Sequence, residues 1–237
     1  MKDLLIISGV STGGKTYVAE VLPEILFDIA ISHTTRPRRS HEFDALDYHF
    51  VTDESFSNTD FIETTNFAGY QYGLSKAESQ KTGNRILSHV CDWDGLKNMH
   101  QMFPDRCLRV FIDIDPIDIV RRMLARWMDN GSADLAYLAK RIHHALTVEL
   151  SWCGDVDIYI ANSEQFSTQL QHIIDVFNSD SVPHPIRLNR ESPFMDLTIS
   201  SIHEFLLGSQ RPKRGESHKL LTQQLFELIN SSRLLPA

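Results

Sequence analysis

A glycine-rich segment near the start of the chain has the composition and spacing of a phosphate-binding loop. Residues 9–16 read Gly-Val-Ser-Thr-Gly-Gly-Lys-Thr and fit the pattern G-x-x-x-x-G-K-[ST]. Such loops turn backbone N–H groups toward a phosphate, in conformations that glycine adopts most readily. Lys15 adds a mobile positive charge for the β- and γ-phosphates, and the hydroxyl of Thr16 can hold Mg²⁺ directly or through water. The segment favours ATP binding over a plain turn. The predicted ATP-binding residues are Gly9, Ser11, Thr12, Gly13, Gly14, Lys15 and Thr16.

A second candidate anion site is formed by arginines and tyrosines. Arg36 and Arg39 lie three positions apart in a polar, proline-containing stretch. Two planar guanidinium groups at this spacing can hold one doubly charged phosphate, with hydrogen bonds that are stronger and more directional than those of lysine. Tyr48 and Tyr72 can donate to the same phosphate and exclude water from it, with ordinary core aromatics as the alternative. The group predicts a site for the α-phosphate of an acceptor.

Alternating strand and helix patterns are expected to position these two sites. The apolar run 4–8 ends at the glycine-rich loop, and residues 16–26 then repeat apolar side chains at helical spacing. Further expected strands are 29–32, 48–51, 86–90, 108–114 and 156–160, and further expected helices are 96–102, 117–127, 135–150 and 163–177. Strands that alternate with helices predict an α/β fold with a parallel sheet covered by helices on both faces.

Several motifs after the loop occur in an order typical of one enzyme family. They are Thr34-Thr35-Arg36-Pro37-Arg38-Arg39, Glu42, Asp47-Tyr48, Phe61-Ile62-Glu63 and Gly69-Tyr70-Gln71-Tyr72-Gly73. Later motifs of the same kind are Lys140-Arg141, Glu149-Leu150-Ser151 and Ile158-Tyr159-Ile160-Ala161-Asn162. From about Leu4 to Phe177 the chain resembles the guanylate kinases, which move the terminal phosphate of ATP onto a nucleoside monophosphate.

The resemblance implies a domain organisation. We expect a guanylate-kinase-like domain over residues 1–180, with a P-loop NTPase-type parallel sheet, an inserted acceptor-binding subdomain at 33–76 and a lid at 126–140. Residues 181–237 have no counterpart in the resemblance and are expected to form a helical C-terminal extension. Their apolar positions at helical spacing favour packing over disorder. Packing on the core, a homodimer contact and recruitment of a partner all stay open as roles for this extension.

The resemblance also assigns residues to the acceptor. Glu63 would accept two parallel hydrogen bonds from N1–H and the 2-amino group of guanine, a pair that adenine does not offer. The other acceptor residues implied are Ser32, Ser75 and Asp92, besides Arg36, Arg39, Tyr48 and Tyr72. Asp92, with Thr16, is also implied for Mg²⁺, directly or through water. A helix cap is the alternative role for Asp92, and Asp94 competes for the metal role.

Lid arginines complete the implied catalytic group. Together with Lys15, the residues Arg126 and Arg141 match positions where guanylate kinases present positive charge to the transferring phosphoryl group. Arg122 lies one helical turn before Arg126 and is the alternative working residue.

The sequence departs from the family pattern in three places, and the change at Leu74 bears on the substrate. Leu74 stands directly after Tyr72-Gly73, where the family has a small hydroxyl residue, and Leu74 cannot donate to a base. Thr12 stands in the loop where Gly is usual, and His41 and Ala45 replace two common glycines. A modified purine or a deoxynucleotide is therefore an alternative acceptor.

Composition excludes several other classes of protein. The formal charge of −8 argues against general nucleic-acid binding, which normally needs a positive excess. No apolar run approaches the length of a membrane span, so we expect no membrane partner. The three cysteines are widely spaced, which suits a reducing compartment, and we expect a soluble, cytoplasmic protein.

The expected function is ATP- and Mg²⁺-dependent phosphorylation of a nucleoside monophosphate, with GMP or dGMP as the acceptor. A kinase for a modified purine nucleotide and a non-catalytic binding module of the same fold are the alternatives. The attacking phosphate oxygen is already ionised, so the reaction requires positioning and charge neutralisation rather than a general base.

Overall fold

The fold alternates strands and helices along most of the chain. The computed structural model describes residues 2–39, 42–81, 86–129, 134–161, 166–179, 183–208 and 222–227. Its strands are Leu4–Gly9 (β1), Phe27–Ile29 (β2), His33–Thr34 (β3), His49–Phe50 (β4), Phe61–Phe67 (β5), Tyr70–Ser75 (β6), Ile86–Val90 (β7), Cys107–Asp113 (β8), Gly154–Val156 (β9), Ile158–Ala161 (β10) and Ile186–Leu188 (β11). Its helices are Lys15–Val21 (α1), Asp53–Ser57 (α2), Lys76–Ser79 (α3), Trp93–Met102 (α4), Pro116–Asp129 (α5), Leu135–Thr147 (α6), Phe166–Asn178 (α7) and Ile199–Gly208 (α8).

Contacts divide the chain into two compact units. One comprises Met1–Gly9, Gly14–Asp113 and Asp155–Arg187, and the other comprises Val10–Gly13, Ile114–Gly154 and Leu188–Ala237.

The first unit contains a parallel five-stranded sheet in the order β10-β8-β1-β7-β2. On one face, Leu5 and Ile7 of β1 share a buried cluster with Val18 of α1 and Ile173 of α7. Helix α4 contacts β1 and β8, and Trp93 at its start packs edge-to-face on Phe111 with ring centroids 5.5 Å apart. The predicted α/β fold with helices against a parallel sheet is confirmed.

Local chemistry explains where the observed elements differ from the expected ones. Helix α1 ends at Val21, five residues before the expected end, because Pro23 holds the preceding Leu22 in an extended conformation. The strand expected at 156–160 is divided into β9 and β10. Between them, the buried Asp157 accepts hydrogen bonds from the backbone and the guanidinium of Arg109, at 2.8 Å and 2.9 Å.

The region predicted to bind the acceptor forms a sheet of its own within the first unit. Strands β3 to β6 pair in the order β4-β3-β6-β5, so β4 lies at an edge as its alternating pattern predicted. Residue Glu63 of β5 pairs with Leu74 of β6 next to an irregularity in the register.

The second unit consists mainly of helices. The segment predicted as a lid comprises the end of α5 and the start of α6, and residues 130–133 between them lie outside the described residues. The side chain of Asp134 begins α6 by accepting a hydrogen bond from the Tyr137 N–H at 2.8 Å. The 3₁₀ turn Glu149–Ser151 follows α6.

From Leu188 onward, the C-terminal extension belongs to this second unit. Helix α8, expected near residues 195–207, packs against α6 and buries Ile202 and Leu206. Residue Ser192 donates to the carbonyl of Leu146, and its N–H donates to Ser151 Oγ at 3.1 Å. The sequence also predicts a helix near His218–Ile229, of which residues 222–227 are described and are helical. Helix α8 thus packs against α6, and the role of the extension stays a prediction. In the described part of the chain, no helix has the length and apolar character needed to cross a membrane.

Candidate active site

The backbone of the glycine-rich loop has the conformations that its glycines predict. At Gly9, φ is +149°, and a Cβ atom there would lie 2.1 Å from the carbonyl oxygen of Ile112. Gly14 has φ +100° and immediately precedes α1. Lys15 Nζ donates to the Gly9 carbonyl at 2.8 Å. Positions 9 and 14 accept only glycine without strain. The loop continues directly into the N-terminus of α1, where backbone N–H groups can bind a phosphate.

Thr12 has φ +61°, in the left-handed region, although it is not a glycine. Its hydroxyl donates to the Ser11 carbonyl at 2.6 Å. Left-handed backbone costs a residue with a Cβ about 1 kcal/mol or more. The loop therefore holds a strained residue where the family usually has Gly.

Three charged residues of the second unit contact this part of the loop. The buried Glu149 accepts hydrogen bonds from the N–H and the hydroxyl of Ser11, the latter at 2.7 Å. Arg141 Nη2 donates to the same hydroxyl at 3.1 Å, and Arg122 Nη1 donates to the Thr12 carbonyl at 2.9 Å. Ser11 was predicted to contact ATP, but both of its donors are directed at Glu149.

The lid arginines differ in their surroundings. Arg141 and Arg122 reach the loop, whereas the side chain of Arg126 is exposed on α5. Of the two residues between which the sequence left the choice open, Arg122 therefore has the contact with the loop. The catalytic assignment of Arg126 stays a prediction.

The predicted acceptor arginines converge on one carboxylate. Glu42 Oε2 and Oε1 accept from Arg36 Nη1 and Nη2 at 3.0 Å and 2.8 Å, and Arg39 Nη1 donates to Oε1 at 3.1 Å. Arg36 is buried, whereas the Arg39 side chain is 38% exposed. Burial alone would raise the pKa of Glu42, but the hydrogen bonds from Arg36 and Arg39 hold this pKa below its ordinary value. The structure thus fixes Arg36 firmly and leaves Arg39 the more accessible of the pair.

The two predicted tyrosines lie beside this cluster. Tyr48 and Tyr72 pack with ring centroids 6.0 Å apart, and the Arg36 guanidinium lies 5.4 Å from the Tyr48 ring. Burial, with Tyr72 nearby, raises the pKa of Tyr48, so its hydroxyl stays protonated and can donate a hydrogen bond. Both rings are half-buried.

Glu63 lies in a closely packed polar group in the first unit. Its side chain is almost completely buried, and Oε2 lies 3.6 Å from Nε2 of the equally buried His89. Among the described residues, Oε1 has no hydrogen-bond partner. A Cβ at Gly95 would lie 2.9 Å from Oε1 and 3.2 Å from Cys91 Sγ, so glycine is required there. Burial raises the pKa of the Cys91 thiol well above its ordinary value and keeps this thiol neutral.

The remaining predicted residues have local structural contacts. Asp92 begins α4, with Oδ1 accepting from the Gly95 N–H at 2.8 Å and Oδ2 accepting from the Thr65 hydroxyl at 2.6 Å. Ser75 caps α3 through the Glu78 N–H at 3.2 Å. Ser32 is buried, and its carbonyl accepts from the His49 N–H at 2.9 Å. Their roles at the acceptor stay predictions.

Thr16 and Asp92, the residues predicted to hold Mg²⁺, suit an ion whose other ligands are mainly phosphate oxygens of the nucleotide. Thr16 is exposed at the end of the loop, and its hydroxyl is a hard oxygen ligand of the kind that Mg²⁺ takes. Asp92 has both oxygens engaged, so only its remaining lone pairs are left for a water-mediated contact. In the described part of the chain, no cluster of three or more acidic, histidine or cysteine side chains is arranged for a metal.

The sequence did not reveal the roles of three residues. Glu42 and Glu149 belong to the family motifs, yet neither was assigned a contact, and His89 was read only as part of an apolar strand. Glu149 and His89 face partners on other elements, Ser11 and Glu63, whereas Glu42 binds Arg36, six residues before it. For His89, a polar residue inside a β-branched run was the available signal.

Comparison with known proteins gives consistent results. Residues 1–180 match the family model described as guanylate kinase. A guanylate kinase from Chlorobaculum tepidum is 34% identical over 171 residues, covering 68% of this chain and 85% of that protein. One from Alkalilimnicola ehrlichii is 28% identical over 208 residues, covering 84% and 97%. The crystal structure of guanylate kinase from Anaplasma phagocytophilum has a TM-score of 0.50 at 23% identity and covers 75% of this chain and 85% of that one, which supports the fold.

Proposed function

The chain belongs to the guanylate kinase family, and on this premise we propose that it transfers the γ-phosphoryl group of ATP to the α-phosphate of GMP or dGMP. It is a nucleoside monophosphate kinase by family. The single observation that carries the choice of acceptor is Glu63, whose buried Oε1 has no partner in the described part of the chain. Guanine supplies two adjacent donors of the kind that such a carboxylate needs.

The loop is proposed to bind the phosphates of ATP. Its glycine conformations and the position of Lys15 at the start of α1 support this role. Thr16 would hold Mg²⁺, with Asp92 acting through water. When bound, Mg²⁺ supplies positive charge that offsets the charge of the phosphate oxygens. Lys15 and Arg141 are proposed to neutralise charge on the transferring group, together with Arg122 or Arg126.

The acceptor's phosphate is proposed to lie against Arg39, Tyr48 and Tyr72, with Arg36 fixed behind them by Glu42. The exposed fraction of Arg39 and the half-buried tyrosine pair support this arrangement. Arg36 then contributes its charge from a rigid position, and the tyrosine hydroxyls donate hydrogen bonds without adding charge. Ser32 and Ser75 are proposed as further contacts of the acceptor, and the Ser75 hydroxyl also caps α3.

The test is a measurement of ADP release over a panel of acceptors. We expect turnover with GMP and dGMP and little with AMP or CMP. Because Leu74 pairs with Glu63 and has no polar side-chain atom, the panel also includes 2-aminopurine ribonucleoside monophosphate, which lacks the 6-oxygen. Lys15→Ala should abolish turnover, whereas Lys76→Ala, at an exposed lysine paired with Asp60, should not. If no acceptor on the panel is phosphorylated, the alternative that remains is a non-catalytic binding module of the same fold.

A further inference from the structure

The phosphate loop contains a conformation that its own sequence disfavours. Thr12 has φ +61°, where an L-residue with a Cβ is strained. In the turn around it, the Gly13 N–H donates to the Val10 carbonyl at 3.0 Å. A short turn with a strained residue needs further contacts to keep its N–H groups directed at a phosphate.

Those contacts come from three helical elements of the same compact unit, which are the 3₁₀ turn Glu149–Ser151, α5 and α6. Glu149 takes both donors of Ser11, immediately before Thr12, and Arg122 donates to the carbonyl of Thr12 itself at 2.9 Å. The Ser11 hydroxyl accepts from Arg141 while it donates to Glu149, so the three side chains form a chain of hydrogen bonds. Glu149 is 1% exposed, and water therefore cannot replace it.

We propose that Glu149 is a positioning residue that holds the phosphate loop, with Thr12 in its left-handed conformation, ready to bind ATP. This inference rests on the proposed function, because it assumes that the loop binds ATP. A carboxylate suits the role, since it offers two acceptor oxygens to the two donors of Ser11. His144 Nε2 lies 3.8 Å from Glu149 Oε1, which is beyond hydrogen-bond distance.

The first test is Glu149→Gln, which leaves one acceptor oxygen for two donors. If the loop then keeps its conformation only about a tenth of the time, the apparent KM for ATP rises about tenfold. The KM for GMP should change less than about twofold, because the acceptor residues lie elsewhere in the chain. Glu78→Gln is the matched control, since Glu78 is also a buried glutamate near a histidine but contacts no loop residue.

A second substitution separates positioning from general damage. Thr12→Gly removes the conformational penalty of the left-handed residue, a factor of about five. In the Glu149→Gln background it should therefore recover most of the lost ATP affinity. If Glu149→Gln lowered ATP affinity only by damaging the fold in general, Thr12→Gly would not restore that affinity.

ATP binding measured by calorimetry supplies a readout that does not depend on turnover. If Glu149→Gln fails to fold, Ser11→Ala replaces it, because it removes the hydroxyl and keeps the N–H, and it should weaken ATP binding severalfold. Wild-type ATP affinity in a folded Glu149→Gln or Ser11→Ala protein would overturn the proposal, as would failure of Thr12→Gly to restore binding. If the wild type binds ATP but phosphorylates no acceptor, the proposed function fails and the positioning role is still decided by the binding data.

Discussion

Glu63 Oε2 lies 3.6 Å from His89 Nε2, and both side chains are buried. Neither ring nitrogen of His89 has a hydrogen-bond partner in the described part of the chain, and neither does Glu63 Oε1. An unsatisfied buried acceptor costs about 1–3 kcal/mol, so it is retained where a ligand supplies the missing donor. The unsatisfied Oε1 supports the proposal that Glu63 reads the base of the acceptor.

Glu63→Gln tests this relationship. The amide of Gln presents a donor where guanine also presents donors, so the base loses a charged acceptor and meets a mismatched group. We expect kcat/KM for GMP to fall about a hundredfold, with the KM for ATP changed less than about twofold. Steady-state kinetics with each substrate varied in turn gives both values.

Glu78→Gln controls for loss of a buried carboxylate. Glu78 accepts from His49 Nε2 at 2.7 Å and from the Ile31 N–H at 3.3 Å, so its oxygens already have partners. Its substitution should lower the free energy of unfolding without a selective effect on the kinetic constants for GMP relative to those for ATP. An equal loss of GMP turnover in both variants would contradict base reading by Glu63.

Arg38 and Arg39 are adjacent and have different environments. Arg39 donates to the carboxylate of Glu42, whereas Arg38 donates to the Glu42 backbone carbonyl and is exposed. A lysine keeps the charge but loses the planar fork, so Arg39→Lys should raise the KM for the acceptor about tenfold. Arg38→Lys should leave it within about twofold. The comparison is made at saturating ATP, and equal effects from both would argue against a phosphate contact at Arg39.

The Arg36–Glu42 pair predicts a pH dependence of stability. The pKa of Glu42 is held below its ordinary value of 4.5, so the folded state binds this proton less tightly than the unfolded state does. Its contribution is therefore complete above that pH and is lost as the pH falls through the lower folded-state pKa. Glu42→Gln should lower the free energy of unfolding by about 3 kcal/mol near neutral pH, because it leaves a buried arginine poorly paired.

Urea denaturation at a series of pH values checks this prediction. The stability difference between wild type and Glu42→Gln should shrink as the pH falls below 4.5. Glu54→Gln, at an exposed position on α2, should give no comparable difference at any pH. A difference that stays constant down to strongly acidic pH would mean that protonation of Glu42 does not contribute.

The elements that the sequence predicted best are those set by local patterns. The predicted strand 86–90 coincides with β7, since its apolar run ends where Cys91 and Asp92 lead into a capped helix. The glycine-rich loop was equally clear, because its spacing and its glycines are properties of consecutive residues. The end of α1 was missed, although Pro23 was a visible signal.

The partners within the site could not be derived in the same way. Ser11 and Glu149 are 138 positions apart, and no spacing along the chain brings a carboxylate to the loop. Asp92 shows that a single residue can fit two roles. The resemblance assigns Asp92 to a metal ion, whereas its position directly after a strand favours the helix cap that the structure shows. Contacts in the tertiary structure decide between such alternatives. The spacing of residues along one sequence does not show which distant residues are in contact.

Helix α8 of the C-terminal extension supplies the last prediction, through two adjacent leucines. Leu206 is 4% exposed on the helix that packs against α6, whereas its neighbour Leu207 is 62% exposed. Leu206→Ala should lower the free energy of unfolding by about 2–4 kcal/mol, because it removes buried methyl groups and leaves a cavity, and Leu207→Ala should change it by less than about 0.5 kcal/mol. Hydrogen exchange then locates the effect. Faster exchange in α6 with Leu206→Ala alone would make the extension a structural support of the helix that carries Arg141. Unchanged exchange in α6 with both variants would make the extension an appendage that this helix does not need.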